Sequence, residues 1–339
     1  MANPDPTPIT ELIHAFRYSK IMFAGVSLKI FDLLGDGPKD VKHLAGRTAT
    51  QPDALERLLD ACVGLGLLRK EGDQYSNEPV AETYLRRSSE STLAGYILYS
   101  NSALYRLWGN LEDAIREGTS RWAQTFGSGG ASPFDQLFKT DEARRDFLMG
   151  MHGFGLLSSP HVVAAFDLSA YRRLVDVGGA TGHLAMAACD RYPKLRAAIF
   201  DLPDVIKIAR EYVQKRGLSD RIDFIAGDFF EDPLPEADLF SLGRILHDWS
   251  EQKVRKLLKK IYQTLPSGGA LIIAERLLDE DKTGPLNALA QSLNMLVCVE
   301  GKERSLAEYT ALLRDAGFTE VRGQKTGAPL DAVLAIKER

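Results

Sequence analysis

The sequence has little cysteine, and its few cysteines lack the spacing of a structural site. Cys62, Cys189 and Cys298 are the only three in 339 residues, they lie far apart, and none belongs to a CxxC pair. This usage indicates neither a disulfide framework nor a zinc knuckle. We expect three reduced, buried thiols instead.

An excess of one charge and long apolar runs are also missing. The net charge is −4, with acids and bases mixed along the chain, which argues against a general nucleic-acid or membrane-surface binder. No apolar run approaches the ~18–20 residues that span a bilayer. The first residues have neither the basic nor the apolar segment of a signal peptide. These features predict a cytoplasmic protein, long enough for two domains.

The first third of the sequence has apolar residues at helical spacing. One pattern covers residues 9–34, with Gly25 as the expected break, and another covers 92–116. Between them, helical patterns at 41–45 and 52–67 precede two short strands around a Gly-Asp turn at 68–76. This order is typical of a winged helix-turn-helix.

The rest of the sequence alternates strand-like and helix-like runs. This predicts an α/β fold with a doubly wound, mostly parallel, Rossmann-like sheet. We divide the chain into a helical and winged-helix domain at 1–125, a linker and helix at 126–170, and the α/β domain at 171–339. The predicted strands lie at 173–177, 197–200, 223–226, 237–241, 270–275 and 331–336.

The most informative segment is a glycine turn after the first of these strands. Gly178, Gly179 and Gly182 directly follow the run Leu-Val-Asp-Val. Glycine allows a backbone to approach a ligand closely. Asp201 ends the next strand, near the spacing of about 20 residues at which an acid meets a ribose in dinucleotide folds. The glycine turn and the acid together predict a nucleoside site.

Further functional groups follow the ends of later strands, where ligands bind in doubly wound sheets. They are Gly227, Asp228, Phe229, Arg244, His247 and Asp248. Asp201 fits ribose hydroxyls, while Asp228 and Phe229 fit the amine and the ring face of adenine. Each feature alone also fits a structural role, such as tight packing at the turn or capping of the next helix by Asp201.

The order of the glycines argues against a nicotinamide cofactor. Pyrophosphate binding needs GxGxxG, whose third glycine lets helix and strand pack closely. In residues 178–182, glycines instead occupy the first, second and fifth places. This form is typical of enzymes that bind S-adenosylmethionine (SAM), a ligand without phosphate.

Together these segments resemble the SAM-dependent O-methyltransferases of small aromatic molecules, in particular the acetylserotonin (hydroxyindole) O-methyltransferases and their homologues. The similarity extends over nearly the whole chain. It is carried by residues 115–118, 165–169, 176–182, 200–203, 227–230, 232–239, 244–249, 291–297 and 300–304.

The resemblance implies a SAM site, with S-adenosylhomocysteine as product, and a homodimer formed through the N-terminal domain. The implied cofactor contacts are Gly178, Asp201, Gly227, Asp228, Phe229 and Arg244. Two positions depart from the family pattern. Ala180 replaces the usual third glycine, and Phe138 replaces a tyrosine that contacts the cofactor in the hydroxyindole enzymes.

Methyl transfer to a hydroxyl oxygen needs a base that titrates near neutral pH, which describes histidine. His247 follows a predicted strand end, and the resemblance gives it this role. The imidazolium needs a carboxylate at its far nitrogen, and the resemblance implies Glu275 and Glu303 for that purpose. No metal is expected, because the acids and histidines lack a ligand spacing such as HExxH.

The substrate side is expected to be apolar with a few polar points. By resemblance, Asp248 and Asn294 match substrate positions of the hydroxyindole enzymes, and Cys298 replaces a glutamine there. Phe138 and His152 are further candidates. Such a lining fits a flat phenol, hydroxyindole or hydroxypyrrole, in secondary metabolism or in a melatonin-type role.

Two other functions compete with this interpretation. The winged-helix pattern also fits a SAM-sensing DNA-binding regulator, but the candidate recognition helix at 52–67 has Arg57 as its only base beside several acids. The other is a methyltransferase homologue that binds SAM without catalysis. The presence of His247 and both glutamates argues against it.

Overall fold

The computed structural model describes residues 3–127 and 141–338, apart from the side chains of residues 142, 143 and 146. The chain forms two compact units, Met1–Tyr105 and Arg106–Arg339. Separate clusters of buried apolar side chains form the core of each unit.

The first unit has the winged helix-turn-helix arrangement that the sequence predicts. Strands β1 (Lys39–Asp40), β2 (Leu68–Glu71) and β3 (Gln74–Asn77) form an antiparallel sheet in the order β1-β3-β2. The helices of this unit are Thr7–Ser27, Ile30–Leu33, Val41–Thr48, Pro52–Gly64, Pro79–Tyr84 and Ala94–Tyr99, followed by a π-helical turn at Ser100–Leu104. Helix Tyr105–Trp108 crosses the boundary between the units.

The predicted break at Gly25 is wrong. The first helix continues through Gly25 to Ser27, and the next helix begins after Lys29, whose φ is +59°. Gly25 serves packing, because a Cβ there would lie 2.9 Å from Cε2 of Phe31. Periodicity does not distinguish a glycine that ends a helix from one that permits close packing.

The second unit contains a seven-stranded sheet in the order β11-β12-β8-β7-β4-β5-β6. The five strands from β6 to β8 in this order are parallel, and β12 and β11 add antiparallel pairs at one edge. This confirms the predicted doubly wound, mostly parallel sheet. The strands are β4 (Arg173–Val177), β5 (Arg196–Asp201), β6 (Ile222–Ala226), β7 (Leu239–Gly243), β8 (Ala270–Glu275), β11 (Glu320–Gln324) and β12 (Asp331–Ile336).

Helices cover the sheet, and a short parallel pair lies apart from it. This pair is β9 (Leu277–Leu278) with β10 (Arg304–Ser305). The helices that follow the unit boundary are Leu111–Glu117, Trp122–Phe126, Asp141–Ala164, His183–Arg191, Pro203–Lys215, Glu251–Thr264, Leu286–Cys298 and Leu306–Ala316, with a 3-10 turn at Leu246–Asp248.

Strand β4 is the point at which the sheet changes its direction of winding. Its neighbours are β5 on one side and β7 on the other. The chain runs from β4 through β5 to β6 on one side and then crosses to β7 on the other, which opens a crevice at the carboxyl ends of β4 and β7. Alternate residues of β4 pack into the two apolar clusters of this unit, so that Leu174 belongs to one cluster and Val175 to the other. The strand is therefore buried on both faces.

Two strands of the seven-stranded sheet differ from the prediction by more than one residue, for local reasons. β7 begins at Leu239, two residues late, because the carboxylate of Asp238 accepts hydrogen bonds from the backbone N–H groups of Arg172 and Arg173, both at 2.8 Å. β11 was not predicted, since this edge strand is mostly polar.

Two composition-based expectations are answered by the fold. Cys62, Cys189 and Cys298 are buried and form no disulfide. Among the described helices, each is too short or too polar to cross a bilayer.

Candidate active site

The turn after β4 is built from residues with left-handed backbone. Gly178, Ala180 and Gly182 have φ values of +66°, +49° and +81°. A Cβ at Gly178 would lie 2.4 Å from Cδ1 of Ile245 and 3.5 Å from Cε1 of Phe229. Glycine at 178 therefore lets the turn pass directly against both side chains. Ala180 adopts its conformation at a cost of about 1 kcal/mol.

Asp201 ties this turn to the next strand. Its Oδ2 accepts the N–H of Ala180 at 2.8 Å and its Oδ1 accepts the N–H of Leu202 at 2.7 Å. Its backbone carbonyl accepts the N–H of Gly227 at 3.0 Å. Burial raises the pKa of Asp201 to about 6 although the two N–H donors oppose the rise. Each carboxylate oxygen keeps a lone pair for a ligand hydroxyl.

The segment after β6 forms a self-contained turn beside the glycines. Oδ1 of Asp228 accepts the N–H of Phe230, and the N–H of Asp228 donates to Oδ2 of Asp232, both at 2.8 Å. The ring of Phe229 lies between Gly178 and Trp249, with ring centroids 6.3 Å apart for the two aromatics. One carboxylate oxygen of Asp228 therefore accepts a hydrogen bond within the turn, and the other oxygen can accept one from a ligand.

Arg244 follows β7 with a φ of +57°, which is uncommon for a residue with a side chain. Its guanidinium carbon lies 5.3 Å from the ring centroid of Phe154. Strained backbone of this kind occurs most often at functional sites. The neighbouring Ile245 is the residue that packs against Gly178.

His247 lies in the turn that follows, with 4% of its surface exposed. Its Nδ1 lies 2.7 Å from Oε1 of Glu303 and 3.0 Å from Oε2 of Glu275. An ionised carboxylate only accepts, so Nδ1 carries the proton and Nε2 of the neutral ring keeps a lone pair. Oδ1 of Asp248 lies 3.6 Å from Nε2, too far for a hydrogen bond.

Three carboxylates control the charge of this histidine. Burial by itself would lower the pKa of His247, but Glu275, Glu303 and Asp248 outweigh it and raise the pKa above the ordinary value. Burial also raises the pKa of Glu275 to about 7 and that of Asp248 to about 6. The cluster therefore attracts and shares protons near neutral pH.

The same three side chains have the composition of a metal site, but their spacing is that of hydrogen bonds. His247, Glu275 and Glu303 each bring one possible ligand atom within 4.8 Å of the others. Neighbouring ligands around a tetrahedral Zn²⁺ are about 3.3 Å apart. The 2.7 Å contact between His247 and Glu303 is shorter.

Glu275 also holds the backbone of the turn. Its Oε1 accepts the N–H groups of Ile245 and Leu246 at 3.0 Å and that of His247 at 3.4 Å. One carboxylate therefore sets both the course of the turn and the environment of the imidazole. The family resemblance implies an orienting role for Glu275 but not this second task.

On the proposed substrate side, one amide is fixed by a tryptophan. Oδ1 of Asn294 accepts the Nε1–H of Trp108 at 2.9 Å and the thiol of Cys298 at 3.6 Å. The indole N–H only donates, so the oxygen of the amide must face it. Burial raises the pKa of Cys298 to about 12, which keeps it a neutral thiol. Phe138 lies outside the described residues.

Two buried histidines support the glycine turn. Nδ1 of His152 lies 2.8 Å from Oγ1 of Thr181, and Nδ1 of His183 lies 2.9 Å from Oγ of Ser159. Burial lowers their pKa values, to about 4 and about 3, so both are neutral. His152 is predicted from the sequence as a substrate contact, whereas its bond to Thr181, which links the helix Asp141–Ala164 to the turn, has no signal in the sequence.

Two family models match the chain. The O-methyltransferase domain matches residues 108–319, and the O-methyltransferase dimerisation domain matches residues 10–87. The chain therefore belongs to the family of SAM-dependent O-methyltransferases and is an enzyme, which confirms the resemblance found in the sequence.

Individual relatives support the same family. A probable bifunctional dTTP/UTP pyrophosphatase/methyltransferase protein of Homo sapiens is 43% identical over 98% of this chain, which spans only 54% of that protein's length. Acetylserotonin O-methyltransferase of Bos taurus is 40% identical over 97% of both chains. The crystal structure of human N-acetylserotonin methyltransferase with SAM has a TM-score of 0.94 and 37% identity, covering 100% of both chains.

Replacement of Glu275 by alanine is expected to lower the free energy of unfolding by about 3 kcal/mol, because three buried N–H groups lose their acceptor. Glu275→Gln is the matched variant. Its amide oxygen can still accept these bonds, so the loss should be about 1 kcal/mol. Chemical denaturation of both variants measures the difference. Equal losses would show that the charge of Glu275, and not its acceptor oxygen, holds the turn.

Proposed function

We propose that this protein transfers a methyl group from SAM to the hydroxyl of a small aromatic or heteroaromatic acceptor, with His247 as general base. The observation that carries the proposal is the hydrogen bond from Nδ1 of His247 to Glu303. It leaves Nε2 of the neutral ring free to take the proton of a hydroxyl group.

The glycine turn fits a nucleoside that has no phosphate. Gly178 lets the turn lie directly against Ile245 and Phe229. Asp201 keeps lone pairs for ribose hydroxyls, and the Phe229 ring beside the turn suits a flat base. We propose Gly227, Asp228 and Arg244 as the remaining cofactor contacts. SAM bound there supplies a methyl group on a positively charged sulfur, which needs no further activation.

The surroundings of His247 suit a proton acceptor. As the substrate oxygen bonds to the methyl carbon, the carbon–sulfur bond would break and S-adenosylhomocysteine would leave. The hydroxyl proton would move to Nε2 of His247, and the ring would become an imidazolium. Glu303 and Glu275 stabilise that charge in a buried site, where solvent screens it little. Their orienting role follows from the tautomer, since Nδ1–H must point at a carboxylate for Nε2 to accept.

The substrate that receives the methyl group is proposed to carry, besides its hydroxyl, a second group that accepts hydrogen bonds. Trp108 occupies the amide oxygen of Asn294, which leaves the amide N–H groups as donors. With Asp248, Cys298, His152 and Phe138 as further proposed contacts, this fits a hydroxyindole, a hydroxypyrrole or a substituted phenol. The acetylserotonin names of relatives favour the hydroxyindole class. A role in secondary metabolism stays a prediction.

A DNA-binding regulator is less well supported. The helix Pro52–Gly64 buries Leu55, Leu59 and Cys62 in the core of its own unit. Lys70 is paired with Asp60 at 2.8 Å and with Glu56 at 3.4 Å, so the nearby cation is already neutralised. Phosphate binding needs an exposed basic surface.

The proposed reaction is tested by measuring S-adenosylhomocysteine formation from SAM with hydroxyindoles, hydroxypyrroles and phenols. We expect turnover with at least one class of substrate. For His247→Ala we expect the rate to fall by roughly 100-fold or more, because the base is lost. Affinity for SAM, measured by calorimetry, should not change.

The control for this variant is His161→Ala, which removes an exposed histidine of the helix Asp141–Ala164. It should leave turnover unchanged. Full activity of His247→Ala would exclude His247 as the base, and absence of turnover with every acceptor class would count against the proposed reaction.

Gly178→Ala is expected to weaken S-adenosylhomocysteine binding by tenfold or more, since the methyl group would enter the space between the turn, Ile245 and Phe229. Gly217→Ala is the control. Gly217 has a similar φ of +74°, but a Cβ there meets nothing within 4 Å. Both variants should lose about 1 kcal/mol of stability from backbone strain. Gly178→Ala should lose more than Gly217→Ala because its methyl group also meets Ile245, and only Gly178→Ala should lose affinity. Equal affinities would remove Gly178 from the proposed site.

The first unit is proposed to form a homodimer. Ile9, Leu12, Ile13 and Phe16 share one face of the helix Thr7–Ser27 and are 63%, 72%, 56% and 53% exposed, and such a surface is usually covered by a partner. The matching dimerisation model includes this helix. We keep residues 1–125 as the dimerisation domain, 126–170 as linker and pocket helix, and 171–339 as the SAM domain.

The double variant Leu12→Asp, Phe16→Asp is expected to be monomeric, because charges replace the apolar centre of the face. Light scattering after size-exclusion chromatography measures the mass. Glu11→Lys changes charge on the opposite side of the same helix and should remain dimeric. A dimeric double variant would contradict the assignment of this face.

A further inference from the structure

We propose that Arg304 is a positioning residue of the methyl-transfer site, which holds the turn that carries His247 and balances the charge of the carboxylates beside it. The proposal rests on the function proposed above, because it takes His247 as the base. Neither the sequence motifs nor the family match assigns a task to this side chain.

Arg304 is 1% exposed and is the largest fully buried side chain among the described residues. Its Nη1 donates to the backbone carbonyl of Leu246 at 3.0 Å and to that of Lys302 at 3.2 Å. Leu246 directly precedes His247, and its N–H donates to Glu275. An anion therefore holds the N–H of Leu246 and a cation holds its carbonyl. Together they fix the peptide groups from which the imidazole extends.

Gly301 allows this arrangement. A Cβ at Gly301 would lie 2.1 Å from the carbonyl oxygen of His247, so the chain passes in direct contact with the turn at this point. The contact brings the next residues within reach of it. Glu303 bonds to the imidazole, and Arg304 bonds to the backbone before it. One short segment thus controls both the ring and the turn.

Charge is the second part of the proposal. Three carboxylates face His247, and they are Glu275 from β8, Glu303 from the segment at β10 and Asp248 from its own turn. Three further groups face these carboxylates or the turn, and they are Arg304 from the segment at β10, Arg244 from the end of β7 and Tyr309 from the helix Leu306–Ala316. Burial, helped by Glu275 and Glu303, raises the pKa of Tyr309 well above its ordinary value, so its hydroxyl stays neutral.

With three carboxylates ionised and both arginines present, the cluster carries one negative charge when His247 is neutral. It carries none when His247 is protonated. Removal of the Arg304 cation would favour the imidazolium further and raise the pKa of His247. Because the base must be neutral to act, the acidic limb of the pH–rate profile would then move to higher pH.

Two variants of the full-length protein separate geometry from charge. Arg304→Gln removes the charge, and we expect the acidic limb of kcat to rise by about one pH unit. Arg304→Lys keeps the charge but not the planar fork, so the limb should stay in place while kcat falls by about tenfold. The KM for SAM should stay within about twofold in both. The control is Arg255→Gln, at an exposed arginine paired with Glu251.

A second readout needs no turnover. Titration of His247 followed by ¹⁵N NMR should show a higher pKa in Arg304→Gln and an unchanged one in Arg304→Lys. If the wild-type protein methylates no acceptor, the proposed function fails, and this titration still decides the role of Arg304. If Arg304→Gln does not fold, Arg304→Lys decides it by lowered kcat with an unchanged titration. Wild-type kcat and titration in the variants would overturn the proposal, as would a loss of thermal stability with neither changed.

Discussion

The carboxylate of Glu275 is the group on which the geometry of the site depends. One oxygen accepts three N–H groups of the turn after β7, and the other lies 3.0 Å from Nδ1 of His247. A buried carboxylate is costly unless it is paired and hydrogen-bonded, so the turn and the imidazole must both meet it. Because Gly243 pairs with Ala274 between β7 and β8, the register of these strands places Glu275 beside the turn that follows β7.

The other half of the site is joined to this one by the adjacency of β4 and β7. These strands are far apart in sequence, yet Oγ of Ser241 donates to Oδ1 of Asp176 at 2.6 Å inside the sheet. Beyond them, Gly178 packs against Ile245 and Phe229. The proposed cofactor turn and the proposed base therefore lie at one crevice, because the two strands that carry them end there. Methyl transfer requires this kind of alignment between two reactants.

Much of the second unit was predictable because its signals are local. β4, β8 and β12 have the predicted bounds, since apolar runs bounded by turns report burial directly. The glycine turn, Asp201 and His247 are recognisable in the same way, as residues at or shortly after the ends of strands. Gly25 was misread because its requirement comes from the ring of Phe31, which no local pattern contains.

The amino-acid sequence by itself determined most of the order of strands and helices, the form of the glycine turn and the types of residue that are proposed to bind and catalyse. Tertiary structure alone decided which side chains meet. The bonds of Thr181 to His152, of Asn294 to Trp108 and of Leu246 to Arg304 join residues far apart along the chain. Periodicity and spacing describe neighbours within one element, whereas these bonds depend on strand register and on burial. A buried polar atom is removed from water and must find its hydrogen-bond partner within the protein.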